Sequence, residues 1–293
     1  MVYVLLKILS CFPLVVLQGF GAFIAWIICL AKTSMFRVTE INIGLAYSEL
    51  NVTEQLALVK RSVRNQCYSY VECIKFWGMP NTYNLKRIQQ VSGQACLEHA
   101  IATQRGVILV MPHLGNWELV NAWLSTQTKP MIMYKPNKLQ SINRYILEAR
   151  QKTNAILVPT NEHGIRALFR HLKQGGVTLI LPDHLPKSSG GIYASFFNQD
   201  VLSGTIVPKL AQKTQAKVIG ISCLRQPSSH TFHIHCTEVC ESIMNQDLNT
   251  SVRSLNRHME NTIALAPEQY IWSYKRFRNC VGNVNHYRVA QQS

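Results

Sequence analysis

Acidic residues are scarce in this sequence: 15 Asp and Glu stand against 30 Lys and Arg, which gives a formal charge of +15. Such a surplus favours acidic partners, among them phosphorylated lipids, an anionic membrane and an acidic carrier protein. Nucleic acid fits the same charge. However, the basic residues are scattered along the chain, and no zinc-finger, helix-turn-helix or RNA-binding signature accompanies them. We therefore do not expect a nucleic-acid-binding protein.

The sequence also lacks a C-x-x-C motif, and its nine cysteines are an odd number, several of them in apolar stretches. This usage is typical of a reducing compartment, where a thiol packs as a small hydrophobe. Cys236 and Cys240 are four positions apart, a poor spacing for a zinc knuckle. His233 and His235 share one face of an apparent strand, which fits a metal, although a solvated strand face is the favoured interpretation. We expect neither a metal nor an organic cofactor.

No internal repeat, low-complexity tract or linker rich in Pro, Gly or Ser divides the chain. With 293 residues, 47% of them hydrophobic, the sequence can form one large domain or two small ones, and we predict one. We expect a membrane anchor helix over residues 1–31 and a helical lead-in over residues 32–92. An α/β region over residues 93–293 is expected to form one domain with the lead-in.

Charged residues are absent from Ile8 to Ala31. A helix of that length, rising about 1.5 Å per residue, would cross a hydrocarbon core of about 30 Å. A cleaved signal peptide is the rival interpretation, but the run is long for one and no convincing cleavage site follows it. Pro13, Gly19 and Gly21 weaken or kink such a helix, so a tilted or interfacial anchor stays open. Basic residues concentrate beyond the segment, which predicts that the long C-terminal part is cytoplasmic.

Helix-like and strand-like stretches alternate after residue 93. Apolar runs predict strands at Val107–Met111, Met131–Tyr134, Ala155–Val158 and Val177–Leu181, with a helix such as His163–Gln174 between them. This alternation predicts an α/β fold with a mainly parallel sheet flanked by helices. Two further strands, Val218–Leu224 and Phe232–Val239, are expected at an antiparallel edge, followed by a late helix over Leu248–Leu265.

His113 follows the first predicted strand and Pro112, at the end of the strand where ligand crevices form in open parallel sheets. Glu118 falls in the first turn of the next helix, and we expect it to fold back towards the imidazole. A carboxylate beside a histidine fixes its tautomer and makes it a competent general base. The sequence has no G-x-S-x-G elbow, no P-loop and no usable G-x-G-x-x-G. The attacking group would therefore be a hydroxyl of the substrate.

Several segments, in order along the chain, resemble the lipid A late acyltransferases, which belong to the lysophospholipid acyltransferase superfamily with its H-x4-D or H-x4-E motif. They are His113-Leu-Gly-Asn-Trp-Glu118, Tyr134-Lys-Pro-Asn137, Leu172-Lys173 with Gly175, Pro182-Asp183, and the closing Pro267-Glu-Gln-Tyr-Ile-Trp272 and Lys275-Arg-Phe-Arg278. The resemblance covers essentially the whole chain. It implies a bacterial inner-membrane enzyme with its catalytic part on the cytoplasmic side.

The resemblance also implies the reaction. The donor would be a fatty acyl thioester on acyl carrier protein, and the acceptor a hydroxyl of a phosphorylated lipid A precursor. His113, oriented by Glu118, would act as general base in a direct transfer. The alternatives are a lysophospholipid or other glycolipid acyltransferase of the same superfamily, a membrane scaffold without activity, and a hydrolase.

Six further residues are candidates for binding substrate. Arg150 and Lys135 suit a lipid phosphate, although Arg150 equally fits an exposed helix face. Asp183 suits orienting a basic residue of the pocket or capping a helix or turn, and Asn116 suits a direct contact or a turn. Lys275 and Arg276 suit the bilayer surface or the docking site of the carrier protein. The sequence departs from the family where Lys135 replaces the usual Arg, His184 the usual Gln and Asn154 an expected Gly.

Overall fold

The computed structural model of the protein describes residues 1–227 and 230–289. Its helices are α1 (Val2–Cys11), α2 (Leu14–Leu30), α3 (Ser34–Ala46), α4 (Val52–Gly78), α5 (Asn81–Leu85), α6 (Gln94–Ala102), α7 (Trp117–Gln127), α8 (Gln140–Gln151), α9 (Glu162–Lys173), α10 (Ile206–Thr214), α11 (Leu248–Ala264) and α12 (His286–Val289). Its strands are β1 (Ile88–Ser92), β2 (Val107–Val110), β3 (Met131–Tyr134), β4 (Ile156–Pro159), β5 (Val177–Ile180), β6 (Gly191–Phe196), β7 (Gln199–Gly204), β8 (Lys217–Arg225) and β9 (Phe232–Glu238).

Seven strands form one sheet in the order β1-β9-β8-β2-β5-β3-β4. All neighbouring pairs are parallel except β8 and β9, which are antiparallel. The predicted mainly parallel sheet is therefore confirmed, and β8 and β9 are the predicted antiparallel pair. However, β1 lies outside β9, so the pair is not at the edge of the sheet as predicted. Strands β2 and β5 are direct neighbours, so their carboxyl ends lie side by side although about 70 residues separate them in the chain.

Alternate residues of the central strands pack against different helices. Ile108 and Val110 of β2 belong to a core with α9 and α10, whereas Val107 and Leu109 belong to a core with α6 and α7. The two layers follow from the strand order. From β2 the chain passes through α7, β3 and α8 to β4 at one edge of the sheet, and it then returns through α9 to β5 and through α10 to β8. Because crossovers are right-handed, the outward and returning helices cover opposite faces.

The amino-terminal apolar segment is two helices, which corrects the predicted single anchor helix. Helices α1 and α2 meet at Pro13 with a bend of 119°. Among the described residues, no single helix is long and apolar enough to cross a membrane, although the bent pair meets the length and composition requirement jointly. Proline removes a backbone donor and cannot continue a helix through its own position, so the break falls where the sequence places Pro13.

The lead-in is only partly the helical segment that was predicted. Asn51 and Glu54 form a capping box at the start of α4, with reciprocal 3.0 Å hydrogen bonds. The segment also contains β1, an edge strand whose sequence Ile-Gln-Gln-Val-Ser has no apolar run to reveal it. The β6–β7 hairpin was not predicted either. Its turn places Phe197 and Asn198 at positive φ.

All nine cysteines lie within the described residues, and none forms a disulfide there. Cys67, Cys73, Cys223, Cys236 and Cys280 are buried, as expected of reduced thiols that pack as small hydrophobes. His233 and His235 do share a strand face, with ring centroids 3.8 Å apart, and Ser92 hydrogen-bonds to the first of them at 2.8 Å.

Candidate active site

His113 lies just beyond the buried strand β2, at the carboxyl edge of the sheet, as predicted. The loop that follows it is pinned from two sides. Gly115 donates to the carbonyl of Gln269 (3.1 Å), and Asn116 donates to that of Cys223 (2.9 Å). Gly115 has a φ of +62°, and an added Cβ would collide with the Cys223 carbonyl oxygen, so this position requires glycine.

Asp183 is the carboxylate that holds the imidazole. Its Oδ1 lies 2.8 Å from Nδ1 of His113, and its Oδ2 accepts the His113 backbone N–H at 3.0 Å. The Tyr270 hydroxyl donates to the same Oδ2 at 3.1 Å. Asp183 follows β5 as His113 follows β2, and the two strands are neighbours, so the sheet itself brings the pair together.

The charge state of this pair follows from its surroundings. The Asp183 side chain is completely buried, whereas 19% of the His113 side chain is exposed. Burial raises the pKa of Asp183, but the charge of His113, its two hydrogen bonds and the charge of His184 together outweigh burial and hold the pKa well below its usual range. Asp183 is therefore ionised beside the imidazole, an arrangement that stabilises the protonated ring.

The His113 ring is the first of three stacked rings. His184 lies parallel to His113 with centroids 3.8 Å apart, and Tyr274 covers the other face of His184 at the same 3.8 Å. Trp117 meets His113 edge-on at 5.5 Å. Burial, followed by the charge of His113, lowers the pKa of His184 to about 4, so His184 is neutral near pH 7. The stack therefore restricts the imidazole without adding a second charge.

Glu118 does not fold back onto the imidazole, which corrects the predicted contact. It is buried at the start of α7, where its Oε1 lies 3.2 Å from Nη2 of Arg150 and its Oε2 accepts from Asn121 at 3.4 Å. Within residues 1–227 and 230–289, no hydrogen bond joins Glu118 to His113. The Arg150 guanidinium also lies over the Tyr134 ring, 5.0 Å from its centroid. Glu118 thus fixes an arginine rather than the histidine.

A pocket of about 400 Å³ opens beside His113. Trp117, His184, Lys135 and Arg150 contribute to its walls, together with apolar residues of β3 and β5. The predicted candidates His113, Lys135 and Arg150 are therefore brought together around one cavity. The pocket joins a base, two permanent cations and an apolar wall, which is the combination needed to receive an amphiphile bearing a phosphate.

Asn116 lies in the core rather than in the pocket. Its side chain is fully buried, caps α7 by accepting from Leu119 N (3.2 Å) and donates to Glu72 Oε2 (3.2 Å). This placement gives no support to the predicted contact between Asn116 and substrate. The side chain instead joins the loop that carries His113 to a buried ion pair between Glu72 and Arg225.

The Glu72–Arg225 pair is a bidentate contact at 2.6 and 2.7 Å between fully buried parts of α4 and β8. Gln18 of α2 donates to Glu72 Oε1 at 2.7 Å. The backbone N–H and C=O of Arg225 bond to the side chain of Gln269 at 2.9 Å each. This network therefore connects an amino-terminal helix, the loop that carries His113 and the closing segment.

Arg276 is buried as well, which corrects its predicted place on a docking surface. Only 3% of the residue is exposed, and its guanidinium donates to Leu202 O and Ser203 Oγ at 2.8 Å each. Its neighbour Lys275 is exposed, with Nζ 5.7 Å from the centre of the Tyr287 ring. The two residues therefore do not form a common basic patch, and Arg276 instead fixes the β7 strand.

The sequence did not identify Tyr270 or Tyr274 as site residues, although Tyr270 lies within the Pro267–Trp272 motif and Tyr274 directly precedes Lys275. Asp183 does contact a basic residue of the pocket, as predicted, but the sequence did not identify His113 as that residue, because no local spacing reports on the pairing. Ligand atoms of His113, Asp183 and His184 lie within 4.8 Å of one another, close enough to hold a metal ion. Such an ion would compete with the hydrogen bond from Nδ1 to the Asp183 carboxylate.

Comparison with known proteins gives a consistent result. A family model described as bacterial lipid A biosynthesis acyltransferase matches residues 1–279. The lipid A biosynthesis palmitoleoyltransferase of Escherichia coli (strain K12) is 24% identical over 240 residues, 81% of this chain and 76% of that protein. The lipid A biosynthesis lauroyltransferase of the same organism is 22% identical over 243 residues, which are 83% of this chain and 78% of that protein. The corresponding myristoyltransferase is 20% identical over 185 residues, covering 62% and 57%.

Proposed function

Because the chain belongs to the family of bacterial lipid A biosynthesis acyltransferases, we propose that it transfers a fatty acyl chain from an acyl carrier protein thioester to a hydroxyl of a lipid A precursor. The observation that carries this proposal is His113, held 2.8 Å from the buried carboxylate of Asp183 beside a pocket that contains Lys135 and Arg150. A base supported by positive charge is what O-acylation of a phosphorylated lipid requires.

His113 acts as the general base in this mechanism. Its Nδ1 faces the Asp183 carboxylate and carries the proton, so the lone pair on Nε2 is free. Nε2 takes the proton of the acceptor hydroxyl while that oxygen bonds to the thioester carbonyl carbon. Collapse of the tetrahedral intermediate breaks the C–S bond, and the imidazolium returns its proton to the departing thiolate. Asp183 stabilises the imidazolium between these two steps.

Glu118 supports the reaction through Arg150. The buried carboxylate and the Tyr134 ring hold the guanidinium at the pocket, where it stabilises negative charge on the oxyanion or on a phosphate of the acceptor. Lys135 is exposed at the rim of the same pocket and suits a phosphate. A lysine there keeps the charge but not the bidentate geometry that arginine would offer.

The amino-terminal helices bind the membrane in this proposal. Both helices expose large apolar side chains: Val4, Leu5 and Ile8 on α1, and Phe20, Phe23, Trp26, Ile27 and Leu30 on α2. A bent pair with such a surface suits insertion into one leaflet of the bacterial inner membrane from the cytoplasmic side. Helix α1 packs on α8, with the Tyr3 hydroxyl donating to Glu148 at 2.7 Å. Because α8 also carries Arg150, this contact brings lipid close to the pocket.

The membrane claim has its own test. Full-length protein should stay in the membrane fraction through a high-salt wash and need detergent for release, because apolar burial is insensitive to screening. Release by salt alone would contradict insertion.

The activity is tested by incubating purified protein with acyl carrier protein thioester and a phosphorylated lipid A precursor, and identifying the product by mass spectrometry. The His113→Ala variant should lose about 10²–10⁴ in rate while keeping the fold. Free fatty acid released without acceptor would identify a hydrolase instead. Preferential acylation of a lysophospholipid would move the protein to the related glycerolipid activity, and a folded protein that consumes no thioester would indicate a scaffold.

A further inference from the structure

A second cavity lies outside the candidate active site, in the groove between α9 and α10. Its volume is about 670 Å³. Ile165, Phe169, Ile206 and Leu210 form an apolar floor, and four basic side chains stand around it. These are Arg166, Arg170, Lys209 and Lys213, all of them exposed.

The charge of this groove is largely uncompensated. Arg166 is paired with Glu162 at 3.0 Å, but no carboxylate within the described parts of the chain lies within salt-bridge distance of Arg170, Lys209 or Lys213. Helix α10 contains no acidic residue at all. In a chain with an excess of basic residues, an apolar floor framed by free cations marks a surface for an acidic partner that also offers apolar contacts.

The groove begins at the same edge of the sheet as the active site. Helix α9 starts where β4 ends, and α10 finishes where β8 begins, so both helices run against the parallel strands and have their amino ends at the carboxyl edge. The loop from β5 carries Asp183 and His184 and then reaches Gly190, which lines the groove and accepts two hydrogen bonds from Thr205 at 3.1 Å.

The groove faces away from the amino-terminal helix α1. Helices α9 and α10 cover the face of the sheet opposite to α7 and α8, and α1 packs on α8. A partner in the groove therefore approaches from the face of the sheet opposite to α1. Four exposed basic side chains, with no acidic residue on α10 beside them, favour an acidic protein as that partner. Lys275 and the buried Arg276 offer no comparable surface.

We infer that the groove between α9 and α10 docks the acidic carrier protein that presents the acyl thioester to His113. This inference rests on the proposed function, which supplies the carrier-bound donor. Opposite charge steers the encounter, and the apolar floor receives the apolar side chains of the carrier. The thioester arm then needs only to pass the sheet edge beside Gly190 to reach the pocket.

The test compares two charge-reversed pairs in full-length protein. One is Arg170→Glu with Lys213→Glu in the groove. The matched control is Arg105→Glu with Lys129→Glu, two exposed basic residues that precede β2 and β3 at the opposite edge of the sheet. Initial rates are measured with the same acyl chain on carrier protein and on coenzyme A, at several ionic strengths, after thermal melting shows that each variant is folded.

We expect the groove pair to raise KM for the carrier-bound donor by at least about tenfold, or about 1.4 kcal/mol, and to remove its salt dependence. KM for the coenzyme A donor, and both KM values of the control pair, should stay near those of the wild type. Unchanged KM for the carrier donor would overturn the inference. So would an equal loss with both donors together with weaker binding to anionic lipid vesicles, which would assign the groove to lipid. Wild-type protein that cannot use the carrier donor at all would instead refute the donor named in the proposed function, and the inference with it.

Discussion

Replacing Asp183 by Asn tests which carboxylate controls the base. The Asp183 oxygens accept three hydrogen bonds, from His113 Nδ1, the His113 backbone N–H and the Tyr270 hydroxyl, at 2.8, 3.0 and 3.1 Å. Asn has one acceptor oxygen, and its NH₂ group must face one of these donors. If NH₂ faces Nδ1, the imidazole proton moves to Nε2, and His113 can no longer accept a proton from the substrate.

The opposite orientation of the amide leaves the backbone N–H of His113 without an acceptor, at a cost of about 1–3 kcal/mol in the free energy of unfolding. Both orientations remove the charge that stabilises the imidazolium. We therefore expect Asp183→Asn to lower kcat by about 10²–10⁴. KM should change little, because Asp183 is buried behind His113 and does not line the pocket.

The assay is the initial rate at saturating donor and acceptor, on protein whose melting curve shows a folded state. Tyr270→Phe is the matched control, because it removes one of the three hydrogen bonds and leaves the Asp183 charge and the imidazole contact in place. Its kcat should stay within about tenfold of the wild type, the effect of one lost hydrogen bond. A folded Asp183→Asn variant with wild-type kcat would refute the assignment of Asp183 as the partner of the base.

Three further outcomes are expected. Glu118→Gln and Arg150→Gln should each lower kcat/KM. Because the two side chains form one ion pair, their effects should be non-additive by about 0.5–3 kcal/mol in a double-mutant cycle. Strict additivity would contradict the pair. The pKa of His184 is about 4 in the folded protein and about 6.5 when unfolded, so its neutral form favours folding and the free energy of unfolding should fall as pH is lowered from about 6.5 to 4. Chemical denaturation of His184→Gln should show a shallower fall, and an equal slope would count against the lowered pKa of this partly buried ring. Gly115→Ala should destabilise the protein by at least about 1–3 kcal/mol, as measured by thermal melting, whereas Gly190→Ala, which meets no atom within 4 Å, should not; equal effects would contradict the loop geometry.

The strands that sequence could predict are those with continuous apolar runs. Val107–Met111 and Val177–Leu181 are nearly identical to the observed β2 and β5, because central parallel strands are buried on both faces. Edge strand β1 and hairpin β6–β7 contain polar residues without such a run, so periodicity alone could not reveal them. The kink predicted at Pro13 is present, but as a complete break between two helices with a bend of 119°.

The position of the candidate base was predictable, whereas its partner was not. His113 follows a strand directly, and that local fact places it at the carboxyl edge of the sheet. Asp183 reaches it only because β5 lies beside β2, which is a property of the strand order. Glu118 is close in sequence, but the first turn of α7 directs its carboxylate to Arg150 on the neighbouring helix. Sequence spacing suggested Glu118 as the partner of His113, but the tertiary structure places Asp183 there instead.

The buried network also sets an order of events during synthesis. Gln18 emerges from the ribosome early, while its network partner Arg225 and the segment with Gln269 and Ile271 that closes the catalytic loop emerge late. Helices α3 and α4 follow α2 directly and can pack with the first two helices early, whereas the loop that carries His113 lacks its contacts with Gln269 and Ile271 until the end of synthesis. We therefore expect the amino-terminal helices to pack together before the loop that carries His113 is fixed, so that activity appears only after the closing segment has been synthesised.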